Sequence, residues 1–363
     1  MLADEKEGTG QGMASVSSTR TIFSPRLHPN SDSGRTTKNN EMGTWLDVVR
    51  DCDNFPYAED EDSQHNQQYS YESLWKFFLP EDPRPHGLMV ESVVLKMPWT
   101  SDFRVISTAD RKEVHLLRPQ GEHNWQDQCS KAIERQVAVA RESGALPGLG
   151  RPRDEQFPIV GARFPVGIDR SAFSMFGIIG RGVHMTVYTQ TDSGIKFWVP
   201  QRNANKSTYP GSLDNTVAGG MATGEGPLEC LLREATEEAG MSEDSLRRDV
   251  RATGTVTWIN ICDERSGGQP GLINPGIIYV YDLEVKPGVV FQPVDNDIEA
   301  FHLMDAEEVK QALLDNRFKP SSGCVMLDFL IRHGVITPEE EEDYAEIVSR
   351  LHRKLPLPSR SYS

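Results

Sequence analysis

The chain has 363 residues, 37% of them apolar and 25% charged, enough for two folded domains and a tail. Its 38 Lys and Arg face 54 Asp and Glu, a net charge of −16 that disfavours a polyphosphate backbone as partner. No apolar run approaches a membrane span, and five scattered cysteines without a CxxC pair predict reduced thiols in an intracellular compartment and no structural zinc.

Residues 1–40 are rich in Ser, Thr, Gly, Asn and Arg and predict a disordered tail. From Met13 the tail is Ser/Arg-rich, somewhat like a transit peptide, but the acidic start at Asp4 and Glu5 argues against targeting from Met1. The expected location is cytoplasmic, or mitochondrial if translation starts at Met13. Residues 41–160 carry core material of their own. Trp45, Leu46, Val48 and Val49 begin a helix, and residues 51–68 read as an acidic loop. Tyr71 to Leu79 form an aromatic cluster, and residues 88–95 suggest a second helix. Residues 103–106 and 114–117 are short strands, and 123–142 has helical apolar spacing. Pro147, Gly148, Gly150 and Pro152 then break the chain.

A second domain is expected over 161–335. Residues 183–188 and 195–199 are strands around a Thr-Asp-Ser-Gly turn, and 201–215 is a long loop. Residues 251–261, 276–285 and 298–303 read as strands. Residues 305–316 and 324–333 read as helices, the first capped by Asp305 with Glu308 at its third position. Within 336–363, residues 338–355 suggest an amphipathic helix. Strands alternating with helices imply a mixed sheet between helical layers.

Between strand and helix lies GGMATGEGPLECLLREATEEAGM, residues 219–241. Gly219 and Gly220 suit a close backbone approach, Pro227 opens a helix and Gly240 suits its left-handed cap. Leu228, Leu231, Leu232, Ala235 and Ala239 make a core stripe. At about 100° per residue, Glu234, Glu237 and Glu238 share one flank outside it. Such carboxylates repel one another unless a cation sits among them, and an all-oxygen cluster suits Mg²⁺ or Mn²⁺. A solvated acidic face is the plain alternative for a charge run. The fixed offsets of Gly219, Glu225, Arg233 and Gly240 tell against it.

With those offsets the chain resembles the Nudix hydrolase family. Residues 198–220, GIIYVYDLEV (276–285) and RFKPSSGCVMLDFLIRHGVITPE (317–339) resemble one eukaryotic subgroup, named as thiamin pyrophosphokinase-related. The resemblance implies a Nudix α/β/α sandwich with a mixed β-sheet, preceded by a smaller α+β N-terminal domain. It also implies hydrolysis of a small-molecule diphosphate such as thiamin diphosphate or its oxidised forms. Glu234, Glu237, Glu238 and the carbonyl of Ala218 would hold Mg²⁺. Glu234 or Glu238 would take a proton from water, and Glu225 and Arg233 would orient them. Glu299 corresponds to a downstream acid, or is a turn residue.

Arg202, Lys206 and Lys319 could meet phosphate, or be solvated cations. Trp198, with Phe197, Tyr209 and Trp258, could stack on a heterocycle, or pack in the core. Three rivals remain: a nucleotide-directed hydrolase, a thiamin pyrophosphokinase-type transferase and a non-catalytic module. The chain has no G-x-x-x-x-G-K-[ST] loop to favour the transferase.

Overall fold

A computed structural model describes residues 43–57, 69–120, 124–152 and 155–360. The expected tail over 1–40 and most of the acidic loop lie outside the described residues. The helix α1 (Trp45–Cys52) opens with a reciprocal capping box between Thr44 and Asp47. Its buried face is Leu46, Val49 and Cys52. Residues 53–57, the described start of the expected acidic loop after α1, turn inward. Asp53 is 1% exposed, accepts the Ile259 N–H at 2.9 Å and pairs with Arg353 at 2.9 Å.

Four short strands follow: β1 (Trp75–Phe78), β2 (Pro85–Met89), β3 (Phe103–Ser107) and β4 (Lys112–Leu116). Their sheet order is β2-β1-β4-β3, with β1 and β4 parallel and the other pairs antiparallel. The helix expected over 88–95 starts later, as α2 (Glu91–Lys96), because Leu88 and Met89 belong to β2. A Cβ on Gly87 would lie 2.1 Å from the Phe176 carbonyl oxygen, so this strand lies close against the backbone around Phe176. The long helix α3 (Trp125–Ser143) covers this sheet with Cys129, Ile133, Val137 and Ala140, ending on Gly144 at φ 65°. The same core takes in Phe157, Ile159, Ile168 and Phe176, from the strands β5 (Gln156–Pro158) and β6 (Gly167–Asp169) and the turns around them.

The larger sheet has six strands: β7 (Gly180–Thr191), β8 (Gly194–Arg202), β9 (Val217–Gly220), β10 (Arg251–Ile261), β11 (Ile273–Glu284) and β12 (Ile298–Asp305). Their order is β10-β11-β7-β8-β12, with β9 on β7. The β11–β7 pair is parallel and the rest are antiparallel, so the sheet is mixed. One face packs on α4 (Pro227–Ala239) and α5 (Glu243–Asp249) through Val183, Met185, Val187, Trp198 and Val217. The other packs on α6 (Ala306–Leu314), α7 (Pro320–Arg332), α8 (Tyr344–Leu351) and α1 through Phe197, Val199, Ile278 and Val280. Alternate residues of each strand feed opposite layers, which completes the α/β/α sandwich expected from the sequence.

The helix expected over 338–355 contracts to α8. Four successive glutamates, 339–342, precede it, and like charges at helical spacing repel. Beyond it the chain leaves the helix, and Arg353 donates to Asp53 and to the carbonyls of Phe55 and Pro56. Among the described residues no helix is long and apolar enough to cross a membrane. All five cysteines are buried and free.

Candidate active site

The helix α4 brings the site together. Gly226 caps it, Pro227 occupies the first turn and Gly240 closes it at φ 61°. Cys230, Leu231, Leu232 and Ala235 bury one stripe at 0–2% exposure, which fixes the rotation of the helix. The flank bearing Glu234 and Glu238 therefore faces β9. Strand β9 comes very close, and glycine makes this possible: a Cβ on Gly219 would lie 2.1 Å from Cδ of Glu234. Next along β9, the Ala218 N–H donates to Oε2 of Glu238 at 3.1 Å. That N–H points away from β7, so Glu238 stands at the strand's outer edge.

Arg233 ties the acids together. Its Nε and Nη2 donate to the two oxygens of Glu225 at 2.8 and 3.2 Å. Its Nη1 donates to Glu234 at 2.8 Å and to Glu237 at 3.2 Å. Glu225 also accepts the Ala222 N–H at 3.1 Å. Burial pushes Glu225 upward, but Arg233 and this backbone bond outweigh it and hold the carboxyl low. The Arg233 charge is correspondingly stabilised, chiefly by Glu225.

Glu234 and Glu238 differ from Glu225. Burial raises Glu234, Arg233 opposes this, and the charge of Glu237 adds to it. Burial raises Glu238 well above the usual carboxylate range, and the charges of Glu234, Asp214 and Asp295 add to it, against the Ala218 bond. The pair is thus short of positive charge. Among the described residues no group of three or more His, Cys, Asp or Glu stands ready to hold a metal ion. Arg233 and the Ala218 amide occupy the carboxylates instead. The donor set still fits a hard divalent cation: oxygen atoms only, two of the carboxylates largely buried and electrostatically undercompensated.

The other residues singled out in the sequence are placed unevenly. Arg202 donates to Asp214 at 2.9 Å and to the Thr208 carbonyl at 2.9 Å, so its guanidinium holds its own loop together. Lys206 pairs with Asp297. Lys319 caps α7, and its Nζ is 3.8 Å from Asp214, whose oxygens already accept from Arg202, Ser322 and the Asn215 N–H. Lys319 is therefore the loosely held cation of the three. Burial lowers its pKa against the pull of Asp214, and it lies within electrostatic reach of Glu238.

Trp198 is 7% exposed and packs edge-on to Phe291 in the core, with ring centroids 5.4 Å apart. Phe197 is buried against Phe329. Trp258 lies flat under Gly276, where a Cβ would be 2.2 Å from the indole. Tyr209 is covered by Arg265. Phe197, Trp198 and Trp258 are thus core residues, and Tyr209 is partly buried. Glu299 is exposed on β12.

Three features were not read from the sequence. Asp295 reaches Glu238 electrostatically, from a segment whose Val294 N–H donates to the Glu238 carbonyl at 3.4 Å. His184 is buried opposite Ala218 on β7, and its Nδ1 is 2.6 Å from Oδ1 of Asn215. Burial, with the Lys319 charge beside it, pushes this imidazole down to about 4. Arg170 follows β6 and lies beside Gly220. A His between two β-branched or apolar strand residues, and an Arg after a short strand, carry no local signal.

Residues 180–325 match the NUDIX domain family model. The chain is similar to an uncharacterized protein of Saccharomyces cerevisiae, YJR142W, with 36% identity over 59% of this chain and 65% of that protein. It is also similar to two Arabidopsis thaliana proteins. One is Nudix hydrolase 20, chloroplastic, with 32% identity over 62% of this chain and 58% of the relative. The other is Nudix hydrolase 24, chloroplastic, with 31% identity over 62% and 60%. The chain thus spans roughly three fifths of the length of these curated relatives.

Proposed function

We propose that this protein is a divalent-cation-dependent hydrolase that splits the phosphoanhydride of a small organic diphosphate. The observation that carries the reading is the pairing of Glu234 and Glu238 on one flank of α4 against the glycine strand β9, inside the region that matches the NUDIX family. Glu234, Glu237, Glu238 and the Ala218 carbonyl are the groups that would hold Mg²⁺ or Mn²⁺. Bound there, such an ion neutralises phosphate oxygens and lowers the pKa of water.

The chain's own residues would supply the rest. Glu234 and Glu238 are half-buried carboxyls whose pKa values burial raises, which favours their taking a proton from attacking water. Glu225 anchors Arg233, and Arg233 orients Glu234. The substrate class proposed is a thiamin diphosphate-like compound, including oxidised forms, cut to the monophosphate and inorganic phosphate. Two observations support it: the subgroup-like stretches at 198–220, 276–285 and 317–339, and the cation of Lys319 near Glu238, suited to the extra charge of a terminal phosphate.

The experiment is a Mg²⁺-dependent hydrolysis panel containing intact and oxidised thiamin diphosphate, ADP-ribose and a nucleoside diphosphate. Thiamin-type substrates should release inorganic phosphate fastest. Glu238→Gln should lose roughly 10²–10⁴-fold in turnover, the usual contribution of a positioned proton acceptor, with an unchanged melting temperature. Full activity in that variant would remove Glu238 from the chemistry, and preference for ADP-ribose would replace the substrate class.

A further inference from the structure

Gly219 and Gly220 are adjacent on β9 and meet different neighbours. A Cβ on Gly219 would strike Glu234, whereas one on Gly220 would lie 3.1 Å from Cζ of Phe157 and 3.8 Å from Cζ of Arg170. Phe157 and Arg170 both precede residues 180–325. The Arg170 guanidinium lies over the Phe157 ring, 5.3 Å from its centroid, and Nη1 donates to Oε2 of Glu155 at 2.6 Å. The ring contact and this ion pair hold the side chain in place while it stays 39% exposed. Arg170 is within electrostatic reach of both Glu234 and Lys319. Two cations from distant parts of the chain, one after β6 and one capping α7, thus stand beside the acids gathered at β9.

We infer that Arg170 is a phosphate-binding residue, which with Lys319 clamps the terminal phosphoryl group of the substrate beside β9. This rests on the proposed diphosphate hydrolysis and extends it to a residue outside the matched NUDIX region. The chemistry favours such a clamp. A terminal phosphate brings more charge than an internal one, and a guanidinium offers several N–H donors in one plane, of which Glu155 engages Nη1. The smaller sheet's core holds Phe157 in place, so the N-terminal region would position a substrate contact as well as cover the larger sheet.

The test is calorimetric binding of Mg²⁺-imidodiphosphate, a diphosphate that is not hydrolysed, to the full chain. Arg170→Gln should weaken binding roughly ten- to hundredfold, the worth of one charge-assisted hydrogen bond, and Arg170→Lys should restore part of it. Glu155→Gln removes the ion pair but keeps the cation, and should bind as tightly as the parent or tighter. Binding by Arg170→Gln within twofold of the parent overturns the inference. So does an equal loss in Glu155→Gln, which would make the pair purely structural, or a parent protein that does not bind the probe. Hydrolysis by the parent is measured in parallel. An inactive parent whose binding depends on Arg170 refutes the hydrolase reading alone, and an active parent indifferent to Arg170 refutes the clamp alone.

Discussion

Gly219→Ala tests whether the approach of β9 to α4 sets the chemistry. The added Cβ would lie 2.1 Å from both Cγ and Cδ of Glu234 and 2.3 Å from its Oε1. Ordinary carbon contacts need ~3.5 Å, so strand, helix or side chain must yield by about 1.4 Å. Because Cγ is struck as well as the carboxyl end, rotating the tip alone does not relieve the clash. Moving the side chain breaks the 2.8 Å bond to Arg233, and moving the strand disturbs the Ala218 N–H on Glu238. A misplacement of about 1 Å costs on the order of 10²-fold in rate, so kcat/KM should fall at least that far. Overpacking should also remove roughly 1–3 kcal/mol of stability. The assay is Mg²⁺-dependent phosphate release with thermal unfolding beside it. Gly194→Ala is the control: its φ is positive, at 108°, but the space around it is open and it lies in the β7–β8 turn. That change should cost about 1 kcal/mol and leave turnover intact. Activity of Gly219→Ala within threefold of the parent would refute the argument that the strand's closeness matters.

Two further predictions concern stability. Arg353→Met removes a buried cation that bonds Asp53, Phe55 and Pro56 and stacks 3.9 Å from the Tyr57 ring centroid; stranding the buried Asp53 should cost about 3–5 kcal/mol in urea unfolding, and a loss below about 1 kcal/mol would show the tail to be loosely held. His184 takes a proton only near pH 4 when folded and near 6.5 when unfolded, so the unfolded chain holds the extra proton between those values and acid favours unfolding. Stability should fall as pH drops through that window, by at most on the order of 3 kcal/mol, and His184→Asn should remove this limb; an unchanged pH profile in the variant would place the titration elsewhere.

The parts of the fold that were legible in the sequence are those whose signal is local. The stripe of α4, the cap of α6 and the Thr-Asp-Ser-Gly turn each sit within one window of a few residues, and each lies where its spacing puts it. The stretch over 88–95 misled because an apolar run carries no period of its own. Met89 completes a strand and Glu91 begins a helix, with Val90 between them as cap. The aromatic residues misled for a related reason. Alternation sends Phe197 and Trp198 to opposite faces of β8, and a face exposed to ligand would have freed one of them. Helices cover both faces here, so both are core. Arg202 and Lys206 were legible as cations of one loop, but their partners, the Thr208 carbonyl, Asp214 and Asp297, depend on how that loop folds back.

The site acids were legible as a set, yet the state they adopt was not, and that state bears on how a cation would enter. Arg233 holds Glu225 with two donors, Nε and Nη2, and touches Glu234 and Glu237 through the third nitrogen alone. Arg233 and the Ala222 N–H hold the Glu225 carboxyl low, so it keeps its charge and its grip on the arginine. Under the proposed function, Glu234 and Glu237 can turn to a cation at the cost of the Nη1 contacts while Arg233 remains anchored. A lysine at this position could not divide its bonds in this way, because its one nitrogen would have to leave Glu225 or the metal ligands. The spacing of Glu225, Arg233 and Glu234 thus gives α4 an internal counter-ion that offsets part of the cluster's charge and need not leave when a cation binds.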